Sequence, residues 1–187
     1  MIIARPLRAI CVGAALIFGI TSIPTSPALA EEVTTNEIVW LPCGPIECGK
    51  ILVPVTKDLN SSKTISLSLY RRKATSGSSP RTLLLLPDRE YGPDARTLTE
   101  KAQLTFGTAI TKFNVISIAP RGAIEAVMPV GNETNIGTLD MADDVEAVRT
   151  SLDTKKVSII GWGSGATTAA ALIMQNPTKV QAAVLDT

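Results

Sequence analysis

Apolar residues along this chain follow two rhythms. Short continuous or alternating runs, closed by proline, glycine or charge, predict strands; longer stretches with apolar residues three or four apart predict helices. "KILVPV" at 50–55 reads as a short strand, and "KTISLSLYRR" at 63–72 alternates as a strand with one buried face does. "TLLLLPD" at 82–88 is apolar almost without a break up to Pro87, the pattern of a strand buried on both faces. A helix is expected over 94–112, with Leu98, Ala102, Ala109 and Phe113 loosely periodic and Gly107 weakening it. "FNVISIAP" at 113–120 is another buried strand, and 121–137 is loop-like. A second helix starts near Thr138 or Asp140 and turns Leu139, Val145, Val148 and Leu152 towards a core. "KVSIIG", a helix from Ala166 to about Gln175, and "KVQAAVLD" complete a β-α-β-α-β order. That order predicts an α/β domain with a mostly parallel sheet flanked by helices. The last strand stops at Asp186 and Thr187, so the pattern predicts a truncated domain with a bare sheet edge.

The first thirty residues change the picture. Arg5 and Arg8 precede an apolar run from Ala9 to Ile20, and Ala28, Leu29 and Ala30 follow. These are the three regions of a secretory signal, with cleavage expected after Ala30. The run is short for a bilayer of about 30 Å, which needs about 20 residues, so the membrane is met only transiently during export. Residues 1–30 are therefore read as a signal peptide and 31–187 as one partial domain, secreted or held in the cell envelope. Without Arg5 and Arg8 the chain has 16 basic and 17 acidic residues, and no basic tract points to nucleic acid. Cys43 and Cys48 stand in "LPCGPIECGK", with Gly44-Pro45 as a natural turn between them. In an oxidising compartment they are expected to form a disulfide. A metal centre is poorly supported by two thiolates, no clustered third ligand and no histidine in 187 residues.

Candidate chemistry concentrates in "KKVSIIGWGSGATTAAALI" at 155–173, a strand, a glycine turn and a helix. One reading is a nucleophile elbow, G-x-S-x-G, in which a serine occupies a strained backbone position between two glycines. Anchored on Gly161 and Gly165, that pattern puts Gly163 at the centre, where the nucleophile would stand. Ser164 comes one residue late; as a nucleophile it would have Trp162 and Ala166 in place of the glycines, and it reads as an ordinary residue near the helix start, suited to capping it. A second reading is a dinucleotide fingerprint: Gly161, Gly163 and Ala166 satisfy G-x-G-x-x-[GA], and Asp186 ends the next strand. Export and the lack of a second half weigh against it. The plainest reading is a turn whose small residues allow a close strand-to-helix crossover. Asp143 and Glu146 can share one helix face, which a solvated surface explains. Trp162 reads as a packing residue.

Taken in order, these pieces resemble the N-terminal half of secreted α/β-hydrolases of the tripeptidyl-aminopeptidase-like peptidase family found in actinobacteria. The opening tryptophan, the cysteine pair and the proline-bearing strand correspond to Trp40, Cys43, Cys48 and "ILVPVTKD". Further along, "LLLLPDREYGPD", "VISIAPRG", "MADDVEAVRTSL", "GWGSGATTAA" and "NPTKVQAAVLDT" match the family's oxyanion loop, D-x-R-G strand, Asp-bearing helix, elbow and following strand. The departures fall on chemistry. Asp88, Arg89, Glu90 and Tyr91 stand where the family has oxyanion glycines, Ala119 replaces the aspartate of D-x-R-G, and Gly163 replaces the serine. The family's acid and histidine would lie beyond Thr187.

The resemblance therefore implies an α/β-hydrolase-like half-domain with serine-exopeptidase ancestry, a degenerate elbow at Gly161, Gly163, Ser164 and Gly165, and no cofactor. Ser-His-Asp chemistry needs a base for the serine proton and donors for the oxyanion, and this chain offers neither serine nor histidine for it. Three other expectations stay open: a hydrolase completed by a missing C-terminal half, a non-catalytic surface interaction protein, and a dinucleotide-binding fragment. Partners, if any, would be that missing half or a second copy meeting the bare sheet edge.

Overall fold

The structure, a computed structural model, describes residues 37–57 and 62–187. The segment read as an export signal lies outside them. The described strands are β1 (Leu41–Pro42), β2 (Glu47–Pro54), β3 (Thr64–Arg72), β4 (Arg81–Leu86), β5 (Phe113–Ile118), β6 (Val157–Trp162) and β7 (Val180–Asp186). The helices are α1 (Ala95–Phe106), α2 (Thr138–Ser151) and α3 (Ser164–Gln175). All seven strands join one sheet in the order β1-β2-β3-β5-β4-β6-β7. β1, β2, β3 and β5 pair antiparallel, whereas β5, β4, β6 and β7 run parallel.

The leucine run in β4 shows why the sheet is covered on both faces. Successive side chains on a strand point to opposite faces. Leu83 and Leu85 join Ala102 and Ile110 on the α1 side, while Leu84 and Leu86 join Ala142, Val145, Val148, Ala169 and Leu172 of α2 and α3. A strand with helices on both sides cannot alternate apolar and polar residues, and this one does not. β4 has β5 on one side and β6 on the other, so the connections diverge at its carboxyl end. Open α/β sheets place their sites at such a divergence.

Several sequence expectations are corrected. The helix expected over 94–112 is two pieces. Asp94 caps α1 by accepting from Thr97 N–H at 2.6 Å, and Gly107, at φ 65°, ends it before a 3₁₀ stretch from Gly107 to Lys112. Leu139 does not face the core: it is 61% exposed, while Met141, Val145 and Val148 are buried. Those three recur at helical spacing, and Leu139, two residues ahead of Met141, points about 200° away. α3 begins at Ser164 rather than Ala166. Asp144, between Asp143 and Glu146 on the same helix, is buried.

The antiparallel end is held by covalent and local contacts. Cys43 and Cys48 are disulfide-bonded, with Cα atoms 5.8 Å apart. The bond closes the β1–β2 turn, in which Cys43 N–H donates to Ile46 C=O at 3.0 Å. At the other end, β7 is an edge strand whose residues from Gln181 onward are exposed.

Candidate functional site

The turn between β6 and α3 is built by backbone pressing on backbone. A Cβ on Gly161 would come within 2.6 Å of Gly165 C=O, and one on Gly165 would overlap Leu86 C=O, 2.6 Å from its carbon. Only glycine lets β4, β6 and α3 approach this closely at those two positions. Gly163 sits at the apex with φ 51° and ψ −118°, a conformation that side-chain-bearing residues adopt only under strain. Its N–H donates to Asp186 C=O at 2.8 Å, and its C=O accepts from Ala166 N–H at 3.0 Å. The backbone is thus bent as an elbow bends, with no side chain at its tip.

The space in front of that tip is occupied. A Cβ built on Gly163 would overlap Asp88 Oδ2 and lie 2.8 Å from Asp88 Cγ. Asp88 follows β4, and its two oxygens do different work. Oδ1 accepts from Glu90 and Tyr91 N–H, both at 2.8 Å, folding its own loop; Oδ2 accepts from Ser164 N–H at 2.7 Å, across 76 residues of chain. Ser164 N–H belongs to the first turn of α3, whose amides have no partner within the helix. The cap is therefore Asp88, not Ser164. Ser164 Oγ instead accepts Arg89 N–H at 2.8 Å, which ties the loop to the helix a second time. In elbows of this kind the oxyanion is held by the amide after the nucleophile and by one from the loop after the strand equivalent to β4. Here the corresponding amides are Ser164 N–H and one from the Asp88 loop. Ser164 N–H and Arg89 N–H both already have internal acceptors.

The Ser164 N–H bond, aided by those from Glu90 and Tyr91, holds the Asp88 carboxyl down to about 2. A carboxyl in an unfolded chain titrates near 4. The folded pKa is the lower one, so the contribution of Asp88 is fully present above pH about 4 and is lost as pH falls towards 2. Asp88 is half-buried, so solvent screening reduces the effect. The melting-temperature gap between the wild type and Asp88→Asn is expected to close between pH 4 and 2 and to stay level above pH 5.

Behind the elbow lies a void of about 20 Å³ between Leu86, Ala119, Met141, Asp144, Gly165 and Thr168. It has room for about one water molecule and none for a substrate. Ala119 is wholly buried and packs with Ile46, Tyr70 and Ala95. Arg121, two residues on, lies inside the protein. Its Nε and Nη2 meet Asp144 Oδ2 and Oδ1 at 2.7 and 2.5 Å, and the remaining bonds go to the C=O groups of Pro54, Val55 and Asn135. Burial pushes the Asp144 carboxyl up to about 6, against the pull of Arg121. This pair fixes loops, and both residues line a small pocket of about 90 Å³ beside Val53, Lys57 and Asp140. Asp143 pairs with Lys57 and Glu146 with Arg149, so Asp143, Asp144 and Glu146 of α2 have three separate partners. Trp162 is half-buried and packs against Phe106, with ring centroids 6.5 Å apart.

The structure thus brings together Gly161, Gly163, Ser164 and Gly165, and adds Asp88. The sequence singled out the loop of Asp88 as a departure from glycine, but nothing in its spacing joins Asp88 to Ser164. Asp186, the second anchor of the dinucleotide reading, meets the elbow through its backbone C=O. The Asp88 carboxylate stands at the helix end that a pyrophosphate would approach, an unfavourable charge for that ligand.

Comparisons with known proteins agree with the fold. Residues 95–187 match the family described as alpha/beta hydrolase fold. The chain is 24% identical over 231 residues to the serine protease Hip1 of Mycobacterium tuberculosis and of Mycobacterium bovis, covering 95% of this chain and 43% of theirs. It thus spans less than half the length of these curated relatives. Among solved structures, it is similar to an alpha/beta hydrolase from Novosphingobium aromaticivorans, with TM-score 0.58, 19% identity, and coverage of 77% of this chain and 45% of the other. It is also similar to an epoxide hydrolase from Vigna radiata, with TM-score 0.54, 16% identity, and coverage of 75% and 40%. At these identities the structural likeness speaks for the fold alone.

Proposed function

Starting from an α/β-hydrolase fold, we propose that this chain is an exported, catalytically silent relative of serine exopeptidases. The observation that carries the reading is the elbow apex: Gly163 has no side chain, and the Asp88 carboxylate occupies the space one would need. A further segment of chain supplying a histidine and an acid would not alter either fact. The likeness to the serine protease Hip1 supports the peptidase ancestry. Export is supported by Arg5, Arg8, the apolar run and Ala28-Leu29-Ala30, and a bonded Cys43–Cys48 pair suits an oxidising compartment.

Acyl transfer needs a nucleophile, a base and free donors for the developing oxyanion. The first is missing at the apex, and the candidate donors Ser164 N–H and Arg89 N–H are engaged. A non-catalytic interaction role is the second reading. An open groove of about 490 Å³ beside β6 and β7, lined by Leu83, Phe106, Phe113, Ile160 and Val184, favours it.

Unmodified protein is expected to remain unlabelled by a serine-directed fluorophosphonate probe, and exported material is expected to begin at Glu31. Stoichiometric labelling that disappears in Ser164→Ala would overturn the silent reading, because the reactive serine would then sit one residue past the apex. Recovery of membrane-bound protein with Met1 retained would overturn cleavage after Ala30.

A further inference from the structure

We propose that Asp88 is an autoinhibitory contact, a tethered carboxylate that occupies the anion seat of the elbow and keeps it shut to any outside oxyanion. The inference rests on the reading of the elbow as silent and says what keeps it closed. Three backbone N–H groups converge on one carboxylate, at 2.7 Å from Ser164 and 2.8 Å from Glu90 and Tyr91. Two of them come from the loop after β4 and the third from the first turn of α3. A local loop-folding motif would need only Oδ1 on the Glu90 and Tyr91 amides. Oδ2 is turned away from them and spent on Ser164, in the volume that a side chain on residue 163 would claim. Carboxylate and apex side chain exclude each other, so the glycine at 163 and the acid at 88 form one coupled arrangement.

The charge suits the place. Amides at a helix start carry a partial positive charge and favour an anion. The first turn of α3 contains no acidic or basic residue to compete for it. Arg89, next to Asp88, turns its guanidinium to Ile136 C=O at 3.2 Å and to Glu90 at 3.2 Å, leaving the carboxylate to the amides. Outside carboxylates therefore meet a seat already filled by a negative group held by the chain itself, at an effective concentration that free ligand does not match.

Chemical rescue tests this. Asp88→Ala is expected to melt roughly 2–4 °C below the wild type. Sodium formate, compared with sodium chloride at equal ionic strength, is expected to recover at least half of that loss and to move the Ser164 amide resonance. The wild type should show neither response. Equal responses in both proteins, or none in Asp88→Ala, would overturn the proposal. Should Asp88→Ala fail to fold, hydrogen exchange at the Ser164 amide decides. Charge-assisted bonds are about twice as strong as neutral ones, so exchange should be about tenfold faster in Asp88→Asn than in the wild type, and equal protection would overturn the proposal. Fluorophosphonate labelling in the same samples reads the silent elbow separately: a labelled wild type would sink that reading, whereas failed rescue in an unlabelled one would sink only the tether.

Discussion

Arg121→Ala is expected to destabilise the protein by about 3–5 kcal/mol, the range for breaking a buried ion pair from one side. The loss has two sources. Asp144, 4% exposed, would keep its charge with no cation beside it. The C=O groups of Pro54, Val55 and Asn135 would also lose the donor that gathers them around one guanidinium. Burial already raises the Asp144 carboxyl to about 6, and removing Arg121 removes the charge that opposes the rise. In the variant the folded pKa then lies further above the unfolded value near 4, so the folded state binds the proton more tightly and acid favours folding. Urea titrations at pH 7.5 and pH 5 should therefore show a smaller deficit at pH 5. An equal deficit at both would mean that the packing of the arginine stem, not the stranded charge, dominates.

The second large effect concerns the apex. Gly163→Ser is expected to yield no hydrolysis and to cost about 1–3 kcal/mol for the positive φ alone. It must also drive Asp88 off the Ser164 N–H, because the new Cβ and the carboxylate claim the same volume. The double variant Asp88→Gly/Gly163→Ser removes that collision. The two changes should therefore be less harmful together than their separate costs predict, by about 0.5–3 kcal/mol. Turnover should stay absent in both, since the chain has no histidine to accept the serine proton. Simple additivity in a thermodynamic cycle would show that Asp88 moves aside at no cost, and measurable hydrolysis by either variant would contradict the silent reading.

The fold was legible wherever a local pattern and a global role coincided. The unbroken leucines of β4 announced two covered faces, and the periodic Val145, Val148 and Leu152 serve the helix that covers one of them. Leu139 was misplaced because an apolar residue near a helix start counts in a periodicity whether or not it points inward. Gly107 carried a signal that was read as weakness and is a full stop. The elbow was legible because its glycines are fixed by backbone contact, which tolerates no other residue at Gly161 or Gly165. What occupies it was not. The bonds from Ser164 to Asp88 and from Arg121 to Asp144 span 76 and 23 residues, and no periodicity encodes a pairing over such distances. The same holds for Ser164, whose place at a helix start suggested capping, while its hydroxyl faces Arg89.

The contact of Gly165 with Leu86 and of Gly161 with Gly165 has a consequence for how such proteins are recognised. The bend of the turn is set by main-chain atoms, and the apex residue keeps it through its backbone alone. Its outline therefore outlasts the reactive group, and a trace of Cα positions cannot tell an armed elbow from a disarmed one. Superposition alone would group this chain with hydrolases whatever its apex residue carries. On the silent reading proposed above, the difference lies at Gly163, which has no side chain, and in the Asp88 carboxylate that fills the space one would need.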